Sequence, residues 1–304
     1  MLLSQFLYVL LRSFFKQGTM KRLLFFNMLF IAVCIIAITN SSCSDKKGDA
    51  NDSVLTDSLI ADTAATDSTD EIISDTPMPK AADELFDDFV FNFAANKKLQ
   101  LERIAFPLPV FTNGKPEKSI EKSQWKMEHF FMRQGYYTLI MNSKSQMDIV
   151  KDTTISNVVV EKIFFNIKTV QQFAFERKNG QWMLVSINYS PIYQNTNASF
   201  LKFYNQFASD SLFQIESMDE EVKFSAPDPD DDFETITGLM MPEQWPDFKP
   251  GLIPSGTIYN IIYGQKNTES NRKVFVVRGI SNGLEIEMIF RRRSGKWVLT
   301  EFSS

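Results

Sequence analysis

Histidine is almost missing from this chain, and cysteine is confined to its front. The 304 residues include one histidine, His129, and two cysteines, Cys34 and Cys43. Everything after Cys43 is therefore without disulfides, cysteine nucleophiles or thiolate metal sites. A zinc site of two or three histidines cannot be assembled within one chain, nor can two histidines act as an acid–base pair. We expect no metal and no cofactor. Basic charge is scarce as well, with 32 Lys and Arg against 37 Asp and Glu. The first 43 residues hold four of the basic groups and none of the acids, so the remainder carries a net charge of −9. No large basic field exists to gather phosphates, which argues against nucleic acid as a partner.

Aromatic residues are absent from Ser44–Lys80, where nine acids, three lysines and ten Ser or Thr leave little apolar surface to bury. The composition predicts a disordered acidic tether over residues 44–80. Ahead of it stands Met20-Lys21-Arg22, then the apolar run Leu23–Ile38, then Thr39-Asn40-Ser41-Ser42-Cys43. A positive start, an apolar core and small residues before a cut describe an export signal. The run is slightly short for a membrane-spanning helix of about 20 residues. A cysteine at this junction resembles a bacterial lipoprotein signal, cleaved just before a lipid-modified Cys, although Asn40 stands where a larger aliphatic residue is usual. The resemblance implies lipidation at Cys43 and a place in the cell envelope, anchored in the outer membrane through that lipid. Residues 1–43 are then the signal, with Met20 as the expected true start.

What the body has in abundance is phenylalanine, 28 in all, and it arrives in two matching series. Leu85, Phe86, Phe89, Val90 and Phe93 form an apolar stripe at helical period, with Asp83 as its expected N-cap. A shift of 114 places Phe86 on Phe200, Phe89 on Phe203, Phe93 on Phe207 and Gln100 on Gln214. Gln124-Trp125 recurs as Gln244-Trp245, and Gly135 as Gly256. "FERKNGQWMLVSI" at Phe175–Ile187 recurs as "FRRRSGKWVLTEF" at Phe290–Phe302. An ordered series with so long a period implies duplication of a whole unit, over residues 83–191 and 193–304, and excludes a short-repeat solenoid.

In each unit a helix precedes an antiparallel meander, here Val158–Ile167, Val170–Arg177 and Gln181–Tyr189, and there Arg272–Ile280, Leu284–Arg292 and Lys296–Phe302. The Pro- and Gly-rich segments at Pro107–Pro116 and Pro246–Gly256 read as loops and short helices. The fold class is α+β: two tandem cone-shaped domains, each with N-terminal helices packed on a curved antiparallel sheet. On its Phe-striped helices and its "RKNGQWMLVSI" and "RRSGKWVLTEF" hairpins the chain resembles the nuclear-transport-factor-2-like, or cystatin-like, cone fold. More narrowly it looks like a family of Bacteroidetes lipoproteins carrying that fold in tandem. Both faces of Gln181–Ile187 are largely apolar, so each needs a cover. Because cones in this superfamily pair sheet to sheet, the two units are expected to pack on one another through their sheets.

The resemblance specifies no reaction. The anchor, the tether, the apolar cavity expected of a cone and the missing catalytic set lead us to expect a non-enzymatic envelope protein that binds a small apolar ligand or a protein partner. The alternative is an isomerase- or hydratase-type enzyme in the first cone, with Glu128, His129 and Tyr137 as its catalytic residues. A carboxylate in an apolar cavity can shuttle a proton, and a Tyr hydroxyl can stabilise an oxyanion. Trp182 and Trp297 can floor an apolar pocket, or can simply be core. The acids of "DPDDD" at Asp228–Asp232 alternate as in a calcium loop, but Phe233 and Leu239 stand where an EF-hand has Gly and Glu.

Overall fold

The computed structural model describes residues 80–228, 231, 234–265 and 269–304. The expected signal, the expected lipidation site Cys43 and the expected tether up to residue 79 lie outside these residues, as do Asp230 and Asp232 of the acidic stretch.

The apolar stripe forms helix α1 (Phe86–Ala95), which buries Phe86, Phe89, Val90, Phe93 and Ala94. Asn96 then interrupts it. Its side chain accepts the Leu99 N–H at 2.9 Å and starts a second short helix, α2 (Lys97–Arg103). Asp83 does not cap α1. Leu85 occupies the N-cap position, and the Asp83 carboxylate instead takes the Arg103 guanidinium at 2.9 and 2.8 Å and the Trp182 N–H at 3.1 Å. The second half repeats the broken helix as α3 (Ala198–Ser209) and α4 (Ser211–Glu216), with Asp210 accepting the Leu212 and Phe213 N–H groups.

The strands follow in chain order. In the first half they are β1 (Leu108–Thr112), β2 (Lys115–Ile120), β3 (Tyr136–Met141), β4 (Asn157–Phe164), β5 (Thr169–Lys178) and β6 (Gln181–Pro191). The second half has β7 (Met218–Pro227), β8 (Thr235–Met240), a helical turn α5 (Trp245–Phe248), β9 (Thr257–Ile262), β10 (Arg272–Gly279), β11 (Glu285–Arg293) and β12 (Lys296–Ser303). Pro107–Pro116 is thus no loop. It holds β1 and the start of a hairpin, turned at Asn113-Gly114 with φ of 54° and 73°. An Asn-Gly pair suits such a turn because both residues must take a positive φ.

All twelve strands belong to one curved sheet in the order β2-β1-β6-β5-β4-β9-β3-β10-β11-β12-β7-β8. That order reads the same from either end when the halves are exchanged. β9 of the second half pairs with β4 of the first, and β3 of the first half pairs with β10 of the second. The two exchanged strands run parallel at the centre, where Thr138 and Asn260 are partners. Each half-sheet is therefore completed by a strand of the other. The halves meet by strand pairing within one sheet, edge to edge, rather than by stacking one sheet on another.

Alternation along the central strands feeds two separate cores. Leu139 and Met141 of β3, Tyr259 and Ile261 of β9, and Val274 and Val276 of β10 join α1 in one core. Ile140, Ile258, Phe275 and Val277, their neighbours, join α3 in the other. The helices of the two halves thus lie on opposite faces of the sheet, and the central strands are covered twice, which explains their near-continuous apolar runs. Helix α3 also covers Ile163, Phe165 and Val170 of the first half. Trp182 and Trp297 are core residues, 0% and 6% exposed, each under a guanidinium, of Arg177 at 4.8 Å and Arg292 at 5.0 Å.

Fine details repeat as well. Val185 is an extra residue opposite the Ala174–Phe175 step of β5, and Thr300 is the same opposite Ile289–Phe290 of β11. Each bulge turns the next apolar side chain inward, Ile187 beside Leu184 and Phe302 beside Leu299. A strict alternation would have placed Ile187 on the face away from Leu184.

Candidate functional site: the linker between the halves

Of the three residues with sequence-assigned catalytic roles, two fall into different hydrogen-bond clusters. The Tyr137 hydroxyl donates to Asp87 Oδ2 at 3.1 Å, and Tyr263 donates to the other oxygen of the same carboxylate. Burial pushes the Asp87 carboxyl above its ordinary range, against these two bonds and Arg278, which favour the anion. Glu128 belongs elsewhere: its Oε1 takes the Tyr259 hydroxyl at 3.3 Å, the Lys162 ammonium at 3.3 Å and the Phe130 N–H at 3.1 Å. The Phe131 ring stands between the clusters, 5.3 Å from the Tyr137 ring and 6.1 Å from that of Tyr259. His129 is half-buried at the N-cap of the 3-10 turn Phe130–Arg133, and its side chain makes no cap hydrogen bond. No group of three or more His, Cys, Asp or Glu able to hold a metal occurs among the described residues.

Two of the concavities lie along the linker that joins the halves, where Ile192–Gln194 form one 3-10 turn. The Ile192 N–H bonds the Lys168 carbonyl at 2.9 Å, which ties this turn to the β4–β5 connection. On one side of the linker is an apolar groove of about 380 Å³. Its floor is Phe165, Ile192, Ala198 and Leu201; Tyr193 stands beside it 76% exposed, and Lys168 and Lys202 lie at its rim. Neither lysine is ion-paired among the described residues. The lining contains no acid among the described residues.

On the other side is a polar pocket of about 330 Å³ that has little trace in the sequence. Among the described residues its one charged lining residue is Glu161 of β4, 1% exposed. Three side-chain amides hold the carboxylate: Asn195 Nδ2 at 2.7 Å, Asn260 Nδ2 at 3.0 Å and Gln172 Nε2 at 3.1 Å. Burial raises the Glu161 pKa, and the three amide bonds oppose the rise. In "VVVEKIF" this acid shares a face with Ile163, and a charge in register with core residues is the signal that would have found it.

Residues 65–304 match the model of a family described as a domain of unknown function, DUF4348. Among solved structures, a protein described as NTF2-like from Bacteroides fragilis NCTC 9343 is 39% identical, with a TM-score of 0.68. The alignment covers 75% of this chain and 98% of that one. No curated protein matches.

Proposed function

The chain belongs to the DUF4348 family, with an NTF2-like fold, and from that premise we propose that it is a non-enzymatic, lipid-anchored cell-envelope protein that binds a small apolar ligand with an anionic end. The groove carries this reading: an apolar floor, the exposed Tyr193 ring, and two lysines with no acid beside them. An aliphatic chain of modest length would lie on Phe165 and Leu201, while a carboxylate would find Lys168 or Lys202 within reach of solvent. Concave, mainly apolar sites with a few placed polar groups are the usual form of small-molecule sites. The anchor rests on the run Leu23–Ile38 followed by Ser41-Ser42-Cys43. The body is read as two copies of a cone that have traded one strand each, a reading supported by the paired bulges, caps and turns.

Fluorescence titration with a naturally fluorescent polyene fatty acid tests the groove. Saturable binding is expected, with Lys168→Glu/Lys202→Glu weakening the acid at least fivefold and leaving its methyl ester unchanged. Absence of binding, or equal loss for acid and ester, would defeat the proposal. For the anchor, Cys43→Ser is expected to abolish labelling by a radioactive fatty acid and to release the protein from the membrane fraction; retention of both would defeat it.

A further inference from the structure

We infer that the pocket around Glu161 is a second ligand site, and that it takes a small organic cation, an ammonium or guanidinium group. A buried charge in a protein is ordinarily paired or metal-bound, because removal from water without compensation is costly. Glu161 is 1% exposed, and its partners among the described residues are all neutral, the amides of Gln172, Asn195 and Asn260. Amide donors spread the negative charge but do not cancel it. The nearest basic side chain on its own strand, Lys162, turns to the opposite face, where it pairs with Glu128. Among the described residues, nothing else in the pocket lining is charged.

The surroundings favour a donor-rich guest. Behind the pocket lining, Asn260 Oδ1 is wholly buried and has no hydrogen-bond partner among the described residues. Asn188, Gln194 and Asn113 add further amide groups around the opening. A volume of about 330 Å³ lies at the lower end of small-molecule sites, the size of an amino-acid side chain with room for water. The second half has no counterpart, since Val276 occupies the place equivalent to Glu161, opposite Leu139. The site is thus particular to the first half.

The test is a calorimetric titration of the full-length protein with butylammonium and with methylguanidinium, and with glucose as a neutral polyol of similar size. At least one cation is expected to bind saturably and glucose not to. Glu161→Gln keeps the shape and one acceptor oxygen, and is expected to weaken the cation at least tenfold. Gln194→Arg, at the exposed lip, places a tethered guanidinium near the carboxylate and is expected to weaken it at least fivefold, which keeps the idea testable if Glu161→Gln does not fold. Binding should also strengthen with rising pH in the acid range, as Glu161 loses its proton, and this dependence should vanish in Glu161→Gln. The groups facing the carboxylate from β5, β9 and the linker are uncharged amides, so they add no titration of their own. Cation binding unaffected by either variant, or glucose binding in preference to both cations, overturns the assignment, as does binding of neither cation. The apolar groove is a separate surface, so failure here leaves the fatty-acid titration untouched.

Discussion

The indole N–H of Trp245 donates to the side-chain oxygen of Gln214 at 2.9 Å, and Trp125 makes the same bond to Gln100 at 2.9 Å in the other half. The glutamine amides complete the match, donating to the carbonyls of Phe207 at 2.8 Å and Phe93 at 2.9 Å. One Gln thereby ties the end of a helix to a tryptophan from the irregular segment that follows the first hairpin. Trp245 and Gln214 are 1% and 5% exposed. Gln214→Leu leaves an indole N–H and a carbonyl without partners, and each such group costs about 1–3 kcal/mol. In urea unfolding Gln214→Leu and Trp245→Phe are both expected to destabilise, and the double variant by less than their sum. Strict additivity would show the bond to be incidental.

Asp83 makes a second kind of long-range tie. Its carboxylate holds Arg103 with the two side chains only 10% and 11% exposed, and it also takes the Trp182 N–H. Asp83→Ala strands a nearly buried guanidinium, and breaking such a pair costs about 3–5 kcal/mol. Asp83→Ala/Arg103→Met is expected to recover part of that loss. A loss under about 1 kcal/mol, the ordinary worth of a surface pair, would contradict the burial argument.

The helical stripes, the meander strands and the Asn179-Gly180 and Ser294-Gly295 turns were legible because each is fixed by local spacing. Both turns carry positive φ, 52° and 80°, then 48° and 83°. The exchange of β3 and β9 was not legible, since "TLIM" and "IYNII" are apolar on both faces and would suit either neighbour. Asp83 misled for a related reason: its position before a stripe suggests a cap, whereas its partner stands 20 residues on, at Arg103. The β1–β2 hairpin was hidden by its prolines, although Asn113-Gly114 marks the turn. Glu161 was passed over because a single acid within "VVVEKIF" looks like a solvated position until β9 and the linker close over it.

Lys273 is 2% exposed, and its ammonium donates to Asn142 Oδ1 at 2.7 Å and Asn197 Oδ1 at 2.6 Å. Burial lowers its pKa from 10.5 to about 8, with Glu269 acting weakly in the other direction. Between these two values the unfolded chain holds a proton at this position that the folded chain has released. Stability therefore rises with pH across that window, and below about pH 8 the full cost of the buried ammonium is present. The shift corresponds to on the order of 3 kcal/mol. The quantity to read is the difference between wild type and Lys273→Met, in which contributions common to both chains cancel. By chemical denaturation at several pH values, that difference is expected to move in favour of wild type between pH 8 and 10.5. A constant difference would place the ammonium in solvent.

The exchange of strands bears on whether either half can stand alone. In residues 80–191, β3 would keep neither β10 nor β9 beside it, and Leu139, Ile140 and Met141, all 0% exposed in the whole chain, would lose their cover. The edge of β4 that β9 now fills along six residue pairs would be left open. Open apolar edges recruit other strands. Each half expressed by itself is therefore expected to aggregate or to form a dimer that restores the exchange. The two halves expressed together are expected to copurify at equal stoichiometry by size-exclusion chromatography. A half that runs as a cooperatively folded monomer must have closed β3 onto its own β4. That outcome would mean the exchange is a convenience of the intact chain rather than what holds its two halves together.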